Sequence, residues 1–444
     1  MAQNLLEAYK DRLAVSEKVY QNAHLGESMG SAKKLATAKC LENISKFMNE
    51  AFEQSTGTQR SDLGMWKKFT LNLTTVALPN LIAYDLVIVQ PMSSMSGYIT
   101  YVNYTAGSNK GATKQGDVFN NPFKLGDVDV NYTSDRVVET AEVKTEDTAL
   151  VAKLMWSPVM VTEDGKLAGG KIINTKSGAE VTEYTVTKEG VITITNGASA
   201  GESVKVAYVY DNVVIPQNDL PLLNAKIESI PLVARARRIA IYYSQIAAFQ
   251  AKTDYGFDLG DQLAEKAVGQ LSYEIDTEVT QLLIDNANQD GDLVWSKTLP
   301  TGVSKTEHYQ GFTEVLEIGR QKIYDRTKRF APNYMLIASN VLPILTFING
   351  FKAAPTGSIN GPYFAGTLNS LKVYVTPNIE PGHFVIGVNG DDMMSSAAVY
   401  APYMPIVPTQ LLGFADGAMS QGWSTLYDLK LLNKDLLVAG RVTA

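Results

Sequence analysis

Three histidines, one cysteine and 46 carboxylates are the side chains of this 444-residue chain that could do acid–base, nucleophilic or metal chemistry. His24, His308 and His383 lie far apart with no ligand spacing, so a histidine zinc site is not expected. Cys40 stands alone among helix formers in LATAKCLENI, which suits a small buried hydrophobe and rules out an internal disulfide. The Asp and Glu residues fall on helix faces and in turns, as solvated surface does. No Gly-x-Ser-x-Gly, His-Glu-x-x-His or phosphate-loop pattern occurs. The lysines of TAGSNKGATKQGD read as a solvated loop tip. Gly387-Val388-Asn389-Gly390-Asp391-Asp392 has the composition of a cation loop, but Asn-Gly is the ordinary turn pair. The expectation is no catalytic residue, no metal ligand, no cofactor and no enzyme.

What remains is a chain built for shape. Hydrophobic residues make up 45% and charged residues 19%, enough apolar content for two or three packed domains. A net charge of −7 argues against gripping nucleic acid over a broad surface, though not against enclosing it. No run of about 18 apolar residues appears, and the amphipathic start MAQNLLEAYKDRL is no signal peptide. A soluble, intracellular chain is expected.

Periodicity predicts helices over 3–20 and 32–53, separated by a polar linker, with a second linker from Ser55 to Gly64. Both helices lack the apolar surface for a core of their own and read as an arm that needs a partner surface, or as an ordinary helical hairpin. GYITYVNY (97–104) alternates as a strand does. Between residues 150 and 215, PVMVTE, GKIIN, EVTEYTVT, GVITIT and SVKVAYVY are separated by Gly-bearing turns. They predict a small antiparallel sandwich, with TVTKEGVITI as a two-residue hairpin; a continuous β-meander of the host domain is the competing reading. Leu259, Leu263, Ala267, Leu271, Ile275, Val279 and Leu283 recur every four residues, with Asp258 or Asp261 able to cap the start. Some 27 residues at the helical rise make a rod of about 40 Å. A second helix runs from about Thr313 to Lys328. YMLIAS, LKVYVTP and HFVIGV read as strands. AAVYAPYMPIVP, with three prolines, reads as an edge strand or crossing segment. Helices and strands mix without βαβ alternation, so the class is α+β.

Four segments carry a resemblance. LPNLIAYDLVIVQPMSSMSGYI, YYSQIAAFQAKTDYGFDLGDQLAEKAVGQLSYEIDTEVTQLL, YMLIASNVLPIL and AAVYAPYMPIVPT resemble, in this order, stretches of the major capsid proteins of myovirus-type tailed bacteriophages. The resemblance extends to their pentamer-forming vertex paralogues. It runs from residue 78 to 408 and skips the β-rich module. It implies the HK97-like fold, with an N-terminal helical arm, extended loop, spine helix, peripheral and axial domains, plus an inserted β-sandwich. The arm would be 1–80, the start of the core and extended loop 81–149, the inserted module 150–215, and the return of the loop 216–243. The peripheral domain would be 244–338 and 400–444, and the axial domain 339–399.

The resemblance further implies self-assembly through hexamers and pentamers into an icosahedral or prolate head enclosing packaged DNA. Assembly would occur in the host bacterial cytoplasm, with portal, scaffold, decoration or vertex proteins as partners and no membrane. Relatives lose an N-terminal segment after a hydrophobic-x-Glu triplet. Leu5-Leu6-Glu7 and Met48-Asn49-Glu50 fit that pattern, and an intact bond after Glu50 is expected. The rival reading from the β-module and the 22 tyrosines is a phage adhesion or decoration protein that binds a surface glycan.

Overall fold

The computed structural model describes residues 2–24, 26–54, 60–109, 113–118, 132, 136–145, 150–211, 221–327, 329–354, 361–390, 393–409, 411–414 and 417–443. The chain divides into two compact units, residues 1–99 with 229–444 and residues 100–228. Two strands, Ser96–Ala106 and Leu223–Val233, pair with each other where the chain passes between the units.

The smaller unit is a β-sandwich. One antiparallel sheet joins Arg136–Lys144, Ser203–Asp211, Lys171–Asn174 and Glu180–Val181; the other joins Val151–Lys153, Val191–Asn196 and Glu183–Val186. Period-two alternation puts Val204, Val206, Tyr208 and Tyr210 inside, against Ile192 and Ile194 of the facing sheet. The 136–144 strand was expected in the extended loop. It instead pairs along its full length with Ser203–Asp211, so the module begins before residue 150. PVMVTE makes only isolated bridges at Val159 and Val161. The hairpin turn has three residues rather than two, because Thr187 N–H reaches Val191 O and Gly190 takes φ of +80°.

The larger unit holds two sheets. The first orders Ile88–Val89, Ala398–Pro408, Ala418–Leu431 and Arg235–Ser244. Ala398–Pro408 is interior at its start, paired parallel with Ile88–Val89 and antiparallel with Ala418–Leu431. Its prolines predict an edge strand or a crossing segment, and the proline-bearing stretch 402–408 pairs with Ala418–Leu431 alone in that sheet. Register shifts on either side of Met404, beside Pro402 and Pro405, accommodate the missing N–H donors. The second sheet orders Asn288–Ser296, Leu437–Thr443, His383–Gly387, Tyr334–Ile337, Leu371–Val375, Tyr363–Leu368 and Phe351–Ala353. It thus joins strands expected in the axial segment to 288–296, 334–337 and 437–443, which were expected in the peripheral one. Hydrogen bonding between distant strands overrides the sequence boundaries.

The expected rod is the 27-residue helix Leu259–Asp285, capped by Asp258, whose side chain accepts from the N–H groups of Gly260 and Asp261. Ala267 and Leu271 pack with Ile241, Ile406 and Trp423 on the first sheet, while Ile275, Val279 and Leu283 enter the main core. The rod therefore ties two cores together. Helix Phe312–Thr327 ends with Arg326, a cation that suits its negative terminus.

The N-terminal helices are Ala2–Ala8, Lys10–Ala23, Ser31–Gln54 and Arg60–Ala77. The last covers residues 60–64, half of the expected linker, and residues 55–59 lie outside the described residues. Glu50 lies within a helix rather than an extended cleavage site. These helices, expected as an arm needing a partner surface or as a helical hairpin, are docked on the larger unit. Leu41, Ile44 and Met48 bury against Leu71 and Val407, and Cys40 enters the main core. Each fully buried side chain of this size contributes about 1.5–3 kcal/mol. The apolar stripe of Ser31–Gln54 is too small for a separate core but sufficient to dock on a larger one.

Candidate functional site

The predicted chemical residues do not converge. Cys40 is wholly buried, and burial pushes its thiol up to about 12, so it packs and is not poised to react. His308 stacks on Trp295 at 4.8 Å and contacts Ser296 O, while His383 lies 3.7 Å from Glu380. Asn389 is a clasp: its Nδ2 donates to Asp85 O at 2.7 Å and its Oδ1 accepts from Ser396 at 3.0 Å. Asp391 and Asp392 lie outside the described residues. Among the described residues, no group of His, Cys, Asp and Glu is arranged to hold a metal, and no helix is long and apolar enough to cross a membrane.

The structure instead assembles a polar hub that sequence reasoning missed. It centres on the one-turn helix Ala83–Leu86, all four residues of which are buried. On one side Asp85 receives Tyr20 Oη at 2.7 Å, Lys33 Nζ at 2.7 Å and His24 Nε2 at 2.5 Å. Tyr20 and His24 stack at 4.1 Å, one helical turn apart. His24 Nδ1 faces Tyr20 O at 3.0 Å, so both ring nitrogens face acceptor oxygens, a pattern that a doubly protonated ring satisfies. Burial alone would raise the Asp85 carboxyl, but His24 and Lys33 outweigh it and hold it well below the usual carboxylate range. A cavity of about 120 Å³ adjoins the hub, lined by Lys33, Tyr84, Asp85, Lys372 and Asn389 among others.

On the other side, Asp276 of the long helix accepts the N–H of Ala83 at 3.1 Å. Burial pushes its carboxyl up to about 7, against the pull of the Ala83 and Ile82 N–H groups, and the charge on Asp85 adds to the rise. A helical wheel could have flagged Asp276, since Thr280, Ile275 and Val279 beside it are also buried. Nothing in the sequence links His24 to Asp85, 61 positions apart.

The larger unit also exposes apolar side chains that its cores leave out. Tyr242, Ile246, Phe249 and Tyr255 are 64–76% exposed, and Gln245–Asp254 buries only Ala251. The smaller unit does likewise at Leu222, Leu223 and Ile227. Single exposed apolar residues are ordinary on a monomer, but a succession along one segment marks a surface for association.

Comparison with known proteins agrees with an associating chain. Residues 63–433 match the family described as Major capsid protein Gp23. The chain is 24% identical over 365 residues to the major capsid protein of Vibrio phage KVP40, covering 75% of this chain and 69% of the relative. It is 22% identical over 374 residues to that of Enterobacteria phage T4, covering 75% and 68%. Among solved structures, the capsid of Myoviridae phage XM1 aligns with 64% of this chain and 90% of its own, at 9% identity and a TM-score of 0.36. That likeness is too loose to carry weight, whereas the family match spans most of the sequence. The chain belongs to the Gp23 family of major capsid proteins, which build the heads of tailed bacteriophages.

Proposed function

We propose that copies of this chain join through the exposed apolar segment from Tyr242 to Tyr255, and that these contacts close hexamers and pentamers into an icosahedral or prolate shell. The observation that carries this reading is Phe249, 71% exposed on a helix that turns almost nothing into its own core. Heterologous contacts of this kind close into rings when their rotation closes, and further contacts between rings complete the shell. The paired strands 96–106 and 223–233 serve as the extended loop, and their exposed Leu223 and Ile227 add apolar contacts to neighbours. The long helix with the first sheet acts as the peripheral domain, and the seven-stranded sheet as the axial domain.

The role is structural rather than enzymatic. A net charge of −7 suits a wall that encloses DNA without binding its sequence. Portal, scaffold and decoration or vertex proteins are the partners this reading assigns, with assembly in the host cytoplasm. Phe249→Asp tests it. The variant is expected to keep the wild-type circular dichroism and melting temperature, because the side chain is not in a core, yet to sediment as unassembled subunits. Normal shells in electron micrographs of the variant would refute the assignment.

A further inference from the structure

We propose that the Ala83–Leu86 turn is a proton-controlled joint between the N-terminal helices and the long helix, closed while Asp276 is protonated and eased when that proton is lost. The geometry places two carboxyls on opposite sides of one buried turn. Asp85 is saturated by donors: Tyr20, His24 and Lys33 all point at it from the N-terminal helices. Among the described residues, no cation acts on Asp276. The titratable groups that face it are Asp85 of the turn and the buried Tyr400 of the Ala398–Pro408 strand. The remaining charged groups of the hub, Glu27 and Lys372, pair with each other.

A proton shared between these carboxyls would therefore reside on Asp276, where it is needed to avoid two buried negative charges across one turn. Losing it leaves the Ala83 N–H bond in place but sets Asp276 against Asp85. The raised folded value, about 7, lies above the usual carboxylate value of about 4. The protonated joint is thus favoured at low pH, and its closure weakens as pH rises from about 4 to 7. Over that window the opening equilibrium grows up to tenfold per pH unit. Above the folded value no further loss follows.

The test is amide hydrogen exchange of the full chain, read by mass spectrometry and corrected for intrinsic rates, on peptides covering 80–90 and 272–284. In the wild type, opening of these peptides is expected to rise by up to about 100-fold between pH 5 and 7. Peptides from the 203–211 strand serve as reference and should not follow. In Asp276→Asn, which keeps the N–H acceptor but cannot ionise, the rise should largely vanish. Three results would overturn the proposal: no rise in the wild type, an equal rise in the reference peptides, or the same rise in the Asn variant. The first two need no variant, so the test survives a mutant that fails to fold.

Discussion

Replacing Asp85 by Asn should cost the larger unit about 3–5 kcal/mol, the range for breaking a buried ion pair by removing one partner. The side chain is 1% exposed and accepts from three donors, two of them able to carry charge. An amide preserves the shape and can still accept from Tyr20, but it leaves Lys33 and His24 without a counter-charge. Lys33, 22% exposed, recovers part of its hydration; His24, 7% exposed, recovers little. The loss should therefore fall short of three full charge-assisted bonds at about 1.5–3 kcal/mol each.

Urea unfolding measures it. In a Trp66→Phe, Trp156→Phe background, the remaining Trp295 and Trp423 lie in the larger unit and report it alone. The sign with pH is fixed as well. The folded Asp85 carboxyl sits below its unfolded value, so its contribution is complete above about pH 4 and is lost as pH falls further. The gap between wild type and Asp85→Asn should narrow modestly from pH 5 to 7, where the charge on Asp85 raises the Asp276 carboxyl in the wild type alone, and should close as pH falls below about 4. A loss under about 1 kcal/mol at pH 7, or a gap that widens in acid, would refute the view that Asp85 anchors the N-terminal helices.

Two further outcomes follow from packing. Gly440→Ala would place a methyl group 2.4 Å from the Phe384 ring and 2.8 Å from Leu293 O, so the variant should lose about 1–3 kcal/mol in the same assay; an unchanged midpoint would contradict that strand spacing. Excision of 150–215 with a Gly/Ser bridge would strip the nine-residue strand Arg136–Lys144 of its partner and should give aggregating protein by light scattering. Excision of 136–211 removes both strands and should leave soluble chain able to form shells that rupture at lower temperature; equal solubility of the two would refute the module boundary.

The long helix was legible residue by residue, because the four-residue spacing from Leu259 to Leu283 is a local signal and Asp258 caps it within its own turn. The strands of the small sandwich were legible for the same reason, through alternation and through Gly165, Gly190 and Gly197, which all adopt positive φ. The four motifs from Leu78 to Thr409 were enough to point to the family. The sequence could not show which segments would become partners. Arg136–Lys144 reads as part of a loop until Ser203–Asp211 pairs with it, and Leu437–Thr443 gives no sign that it will lie between 288–296 and 383–387.

The docking of the N-terminal helices escaped for a deeper reason. Their apolar stripe is small, and its worth depends on Leu71 and Val407, the latter over 350 positions from Met48. The hub needed still more. Tyr20, His24, Lys33, Asp85 and Asp276 are ordinary surface residue types, and they become buried or half-buried partners only because three distant helices converge on one turn. Local propensity sets which elements form. The desolvation and charge that decide what their side chains do arise only when those elements pack.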